Sequence, residues 1–131
     1  MSRAPACVVL DHTALLLLGR GHPFLSGLVA APAHSQPHRH VYVPALCLAG
    51  AVAERPEIGE HVLSLPAIEV VEVGFAHALT IGRLIADELP WQHAHATATC
   101  VPDVEWPAGR PLITAEPKRY EGYAMHVIAV G

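Results

Sequence analysis

The chain has 131 residues, of which 52% are apolar, 15% charged and only 5% aromatic. That length fits one domain spanning 1–131, and the richness in aliphatic side chains excludes an intrinsically disordered chain. A net charge of −4, from 8 basic and 12 acidic groups, excludes a broad basic surface for tight non-specific nucleic-acid binding and leaves only a small local basic patch compatible.

Met1-Ser2-Arg3 and the short run up to Asp11 do not make a secretory leader, so a soluble cytoplasmic protein is expected. Ala6 to Leu10 is a continuous apolar run, the signature of a strand buried on both faces. Thr13 to Leu18 follows as a helix turn stopped by Gly19-Arg20-Gly21. Pro23 suits the first position of a helix through Ala31, and His34 to His40 is polar and loop-like. Val43-Pro44 opens an Ala/Leu-rich helix that runs to Glu54 and stops at Arg55-Pro56. Another short helix is expected within Pro56 to Leu65. Ile68 to Val73, rich in β-branched residues, reads as a second buried strand. Phe75, Ala78, Leu79, Gly82, Ile85, Ala86 and Leu89 recur at helical spacing and give the clearest helix of the chain. Trp91 to Val101 alternates His or Thr with Ala, a period-2 pattern whose alanines equally favour a helix. Leu112-Ile113-Thr114 is a third strand, Pro117 to Tyr120 a helix turn, and His126 to Val130 a last strand.

Apolar strands separated by helices predict an α/β chain: a three-layer α/β/α sandwich around a mostly parallel sheet of four to five strands. In such sheets, sites lie beyond the carboxyl ends of the strands. Asp11 follows the first strand and Glu116 follows Leu112-Ile113-Thr114. These two acids are the constellation with a physical reason behind it.

Val8-Val9-Leu10-Asp11-His12-Thr13, Val43-Pro44-Ala45-Leu46-Cys47-Leu48-Ala49 and Pro111-Leu112-Ile113-Thr114-Ala115-Glu116-Pro117, in that order, resemble three blocks of the PIN-domain family. These are small metal-dependent ribonucleases that include many bacterial toxins. The resemblance runs from about residue 6 to 130. It implies three or four carboxylates around Mg²⁺ or Mn²⁺, which activates a water and stabilises charge on the phosphate. Carried over by position, Asp11 keeps the first acid and Thr13 the neighbouring hydroxyl. The second acid falls at Gly50, which has no side chain, and the third falls at His93. Glu116 stands where the family most often has aspartate. Glu54, one turn beyond Gly50 on the same helical face, is the nearby substitute for the missing acid. The implied catalytic set is Asp11, Glu116, His93 and Thr13, and the implied metal set is Asp11, Glu116, His93 and Glu54. With His93 among the ligands, Mg²⁺ or Mn²⁺ is held weakly, and the preference moves from Mg²⁺ toward Mn²⁺ or Zn²⁺; the alternative is that His93 packs against or hydrogen-bonds Asp11 or Glu116 and the site holds no metal. The resemblance also implies RNA as a partner, an antitoxin-like protein partner, and a homodimer. Cleavage is expected to be weak or lost; the alternative is a non-catalytic PIN-like module that binds RNA or protein.

Other residues carry less. His34, His38 and His40 read as a solvated loop. His95 shares a face with His93 only in a strand, and a helix turns it elsewhere. Thr114 is expected to hydrogen-bond near the strand end. Lys118 and Arg119 form a small basic patch beside Glu116. Cys7, Cys47 and Cys100, without any CxxC pair, read as buried free thiols.

Overall fold

The strand at Cys7–Leu10 (β1) is apolar at every position because it is covered on both sides, and each of its residues is buried. The structure, a computed structural model, describes residues 6–30 and 40–131. Val8 and Leu10 face one core with Val41, Val43 and Ile113, while Cys7 and Val9 face a second with Tyr42 and Leu112. Burying side chains of this size contributes roughly 1.5–3 kcal/mol each relative to leaving them in water.

The elements after β1 are α1 (His12–Gly19), α2 (Pro23–Ala30), β2 (His40–Pro44), α3 (Ala45–Glu54) and α4 (Glu57–Leu63). They are followed by β3 (Ile68–Val71), α5 (Phe75–Ala86), α6 (Trp91–Cys100), β4 (Leu112–Thr114), a 3₁₀ turn (Pro117–Tyr120) and β5 (Val127–Ala129). The five strands form one parallel sheet in the order β3-β2-β1-β4-β5. Helices α1, α2 and α4 cover one face through Leu15, Leu18, Leu25, Leu28, Ile58 and Val62. Helix α6 covers the other through Ala96 and Cys100, and α5 lies on α6 through Ile81, Ala94 and Ala98. This is the expected α/β architecture with a central parallel sheet. Among the described residues, no helix is long and apolar enough to cross a membrane.

Three details differ from the sequence reading. His40 to Pro44 is a strand, not loop running into helix: Val41, Tyr42 and Val43 pair with β1 and β3, and Pro44 ends the strand and caps α3. β3 is not buried but an edge strand, with Glu69 and Val70 exposed. In α5 the apolar repeat marks the outer face, with Phe75 81% and Leu79 50% exposed, while the inner stripe is His77, Ile81 and Leu84. Ala31, His34 and His38, like Met1 to Arg3, lie outside the described residues.

Helix α6 resolves the His/Ala/Thr alternation. It is buried from His93 to Cys100, so no polar face is needed, and its alanines let the helix lie close to the sheet. Its buried hydroxyls bond back one turn: Thr97 donates to the His93 carbonyl at 2.9 Å and Thr99 to the His95 carbonyl at 2.8 Å. That satisfies groups which would otherwise be costly to bury.

Candidate functional site

β1 lies between β2 and β4, and the chain moves outward from it first to one side and then to the other. The order of strands therefore switches between β1 and β4, where a crevice opens at the carboxyl ends. Asp11 follows β1 and Glu116 follows β4, so the two acids stand at the ends of adjacent parallel strands.

Asp11 is fully buried and caps α1. Its Oδ1 accepts from the Ala14 amide at 3.0 Å and from the Thr13 hydroxyl at 2.6 Å. Thr13 has then used its one proton, so Thr114, at 3.1 Å, donates to it. Thr13 Oγ1 also accepts from the Ala115 amide at 2.9 Å, and Thr114 Oγ1 accepts from the Glu116 amide at 2.9 Å. The two threonines tie the end of β4 to the start of α1, the role expected of Thr114.

The other oxygen of Asp11 leads across the site. Tyr120, from the 3₁₀ turn, donates its hydroxyl to Asp11 Oδ2 at 2.7 Å. Burial and the Asp11 charge push the phenol well above its usual range, so it stays protonated. The same hydroxyl lies 2.7 Å from His93 Nδ1. Because the tyrosine proton points to Asp11, His93 must donate from Nδ1. Burial, with His12 nearby, lowers the His93 pKa and favours the neutral ring. Its Nε2 is then a bare lone pair, and it stands 3.5 Å from Glu116 Oε1. Glu116 itself is 45% exposed and closes the chain of contacts toward solvent.

His12 completes the group. It sits in the first turn of α1, buried, with its ring edge-on to His93 at 4.9 Å between centroids. Asp11, His12 and His93 each offer one ligand atom within 4.8 Å of the others. Neither His12 nor Tyr120 stood out in the sequence. His12 is separated from the recognisable acid and hydroxyl by no spacing rule, and Tyr120 lay inside an unremarkable turn. The one available signal was the run of histidine, acid and hydroxyl at the end of an apolar strand.

Gly50 lies in the buried face of α3, and a Cβ there would stand 3.6 Å from His12 Cβ and 3.7 Å from Gln92 Cβ and Cγ. The position therefore adjoins the group containing Asp11 and His93. Glu54 ends α3 and is exposed. Lys118 and Arg119 are exposed on the 3₁₀ turn beside Glu116. His95 points away from His93, as a helix requires. Its Nδ1 accepts from the Leu46 amide at 3.2 Å, capping the start of α3 from another helix. Burial and His77 push the His95 pKa down to about 4. Cys7, Cys47 and Cys100 are free and buried, and burial raises each of their pKa values, which makes them poor nucleophiles.

As a metal site, this donor set does not fit Mg²⁺, which needs near-octahedral oxygen coordination. Two carboxylates remain, one of them already holding three hydrogen bonds, and the neighbouring donors are nitrogens. The set fits an ion that accepts imidazole. Compared with models of known protein families and with curated proteins, the sequence matches none of them.

Proposed function

We propose that the chain is a PIN-like protein related to Mg²⁺/Mn²⁺-dependent endoribonucleases, in which the acidic centre has been dismantled and cleavage is weak or lost. What supports this reading most is the Tyr120 hydroxyl, 2.7 Å from both Asp11 and His93. In an acid-rich centre a cation would offset the charge of the first carboxylate. Here a tyrosine proton does so, and Gly50 contributes no second acid. Asp11, Thr13, His93 and Glu116 are the residues of the centre in this proposal, with Mg²⁺ or Mn²⁺ at most weakly held. Glu54 reaches it only through a large displacement of its side chain.

The remaining role is binding. Lys118 and Arg119 give single-stranded RNA a small basic contact beside the centre. The outer face of α5, with Phe75, Leu79 and Ile85 exposed, supports a protein partner. A second copy of the chain fits it best, because Ala78 and Gly82 between the large side chains let two such helices approach closely. An antitoxin-like protein is the competing occupant. The buried free thiols agree with a reducing, cytoplasmic setting.

The test is cleavage of single-stranded RNA with Mg²⁺ and with Mn²⁺, run beside Asp11→Asn. Residual cleavage should be slow, while RNA retention by the intact chain should persist and weaken with salt. Fast Mg²⁺-dependent cleavage abolished in Asp11→Asn would defeat the proposal. For the α5 face, Leu79→Glu should convert a dimer to a monomer in sedimentation; a monomeric parent protein would leave the antitoxin-like partner in its place.

A further inference from the structure

His12 is 7% exposed and its Nδ1 meets no hydrogen-bond partner. An unpartnered polar atom at that depth is costly unless something binds it. His93 adds a lone pair nearby, since its Nδ1 proton goes to Tyr120 and its Nε2 faces the Glu116 carboxylate at 3.5 Å. A lone pair facing an anion calls for a cation or a donor between them. Gln92 Oε1, buried and also without a partner, belongs to the same neighbourhood, for both Gln92 and His12 flank Gly50.

The spacing approaches that of a metal cage. A tetrahedral ion with bonds of about 2.0–2.1 Å holds its donors roughly 3.3 Å apart. The 3.5 Å between His93 Nε2 and Glu116 Oε1 is close to one such edge. One ligand atom each of Asp11, His12 and His93 lies within 4.8 Å of the others, so the donors have to draw together around a bound ion. The bond from His93 Nδ1 to Tyr120 fixes the ring's tautomer and orientation, as the outer partners of metal-bound histidines do. Three hydrogen bonds hold Asp11 in the same way.

We propose that His12, His93 and Asp11, with Glu116 closing the solvent side, form a nitrogen-containing site for a late first-row ion such as Zn²⁺. This rests on the reading above that the centre no longer suits a hard cation, and it adds His12 as a ligand and a change in the class of ion. Two imidazoles and two carboxylates suit Zn²⁺ or Co²⁺ far better than Mg²⁺. The ion would be held by the folded chain and would stabilise it through linkage.

Co²⁺ is the probe, because a tetrahedral site gives it strong visible absorption and Zn²⁺ should displace it. The intact 131-residue chain should bind one Co²⁺ with that spectrum, and Zn²⁺ should raise the melting temperature while Mg²⁺ leaves it unchanged. His12→Ala should weaken binding by about tenfold or more and bleach the spectrum. Because a buried substitution risks misfolding, the exposed Glu116→Gln serves as the second variant and should weaken binding while keeping the fold. Absence of Co²⁺ binding overturns the proposal, as does binding that survives both variants. Binding lost instead in a His34→Ala, His38→Ala double variant also overturns it. Fast Mg²⁺-dependent RNA cleavage would defeat the nuclease-derived reading on its own terms, leaving the Co²⁺ titration to decide this one.

Discussion

The two ends of the sheet bury polar groups in opposite ways. At the amino end, Arg110 is buried just before β4; both terminal nitrogens of its fork are partnered and its Nε is not. One nitrogen donates to the Thr99 carbonyl at 3.0 Å and to Asp103 at 2.6 Å, and the other donates to Glu105 at 2.9 Å. The guanidinium carbon sits 4.8 Å from the centre of the Tyr42 ring, whose hydroxyl accepts from Trp106 at 3.1 Å. At the carboxyl end, His12 and Gln92 keep unpartnered atoms, and the bare nitrogen of His93 faces an anion. A buried charge whose partners are supplied by its own chain is a clasp. Arg110 Nε and His95 Nε2 also lack a partner, each in isolation. At the carboxyl end two such atoms gather beside the bare nitrogen of His93 that faces an anion, and such a gathering marks a place where something else binds.

Acid should separate the two ends most strongly. His95 accepts from the Leu46 amide only while Nδ1 is unprotonated, and its folded pKa is pushed to about 4 from an ordinary 6.5. Between those values the unfolded chain binds the proton and the folded chain does not, so stability falls as pH falls through that window and is level above it. The loss for His95 is roughly 3 kcal/mol. His93, lowered in the same direction by burial, adds to it. At the amino end the Arg110–Asp103 pair holds through that window. Arg110 stays charged, and although burial opposes it, the hydrogen bond from Arg110 keeps Asp103 below its usual value. Hydrogen exchange between pH 7 and 4 should therefore show α3 and the start of α6 opening before the Arg110 region. In His95→Gln the slope of stability against pH should flatten. An unchanged slope would remove His95 from the account.

Arg110→Ala attacks the other end. It removes the cation from Asp103 and Glu105, leaves the Thr99 carbonyl unpaired and strips the stem from Tyr42. Because both carboxylates reach solvent, the cost is about 2–3 kcal/mol by denaturant titration, below that of breaking a fully buried pair. Arg110→Lys should recover only part, since a point charge cannot serve three acceptors in a planar fork. Metal affinity at the far end should not change in either variant.

Tyr120→Phe is a smaller and more local break. It leaves Asp11 Oδ2 and His93 Nδ1 without their shared hydroxyl, at a cost of about 1–2 kcal/mol. Its more telling effect is on His93, whose ring is released from one tautomer. Nitrogen chemical shifts should show a single protonated Nδ1 in the parent protein and a mixture in the variant. The same mixture in both would break the Asp11–Tyr120–His93 chain of donors.

The contrast explains what was legible in the sequence. β1 and β4 carry their burial in their composition, so the sheet and the two acids at its carboxyl edge followed from apolar runs ending in Asp11 and Glu116. β2 did not, because Val41-Tyr42-Val43 is short and lies between a histidine-rich stretch and a proline. The stripe on α5 gave the right element and an unexpected face: periodicity reports that apolar residues are aligned, not which side is covered. His12, Tyr120 and Arg110 stayed hidden for a common reason. Each acts through partners that no local period marks: Asp11 lies far away in the chain from Tyr120 and His93 far from His12, while Asp103 and Glu105 are near Arg110 but in an irregular loop.

Gly50→Glu has the smallest expected effect on stability and probes the carboxyl end most directly. The new Cβ meets His12 and Gln92 at ordinary contact distances of 3.6 and 3.7 Å, so the first carbon of the side chain fits on the backbone as it stands. A glycine inside a helix costs up to about 1 kcal/mol relative to better helix formers, part of which the substitution recovers. Against that gain stands a buried carboxylate brought near Asp11, which is unfavourable without a cation. The net change in the metal-free protein should therefore be under about 1 kcal/mol. With Mn²⁺ the balance shifts, because a third carboxylate supplies the hard oxygen ligand that this centre lacks. The melting temperature of Gly50→Glu should then rise with Mn²⁺ more than that of the parent, and Asp11→Asn should cancel the difference. An equal response in both proteins would mean that position 50 does not feed the centre. In that case the unpartnered nitrogens of His12 and His93 would have to be explained without a lost acid.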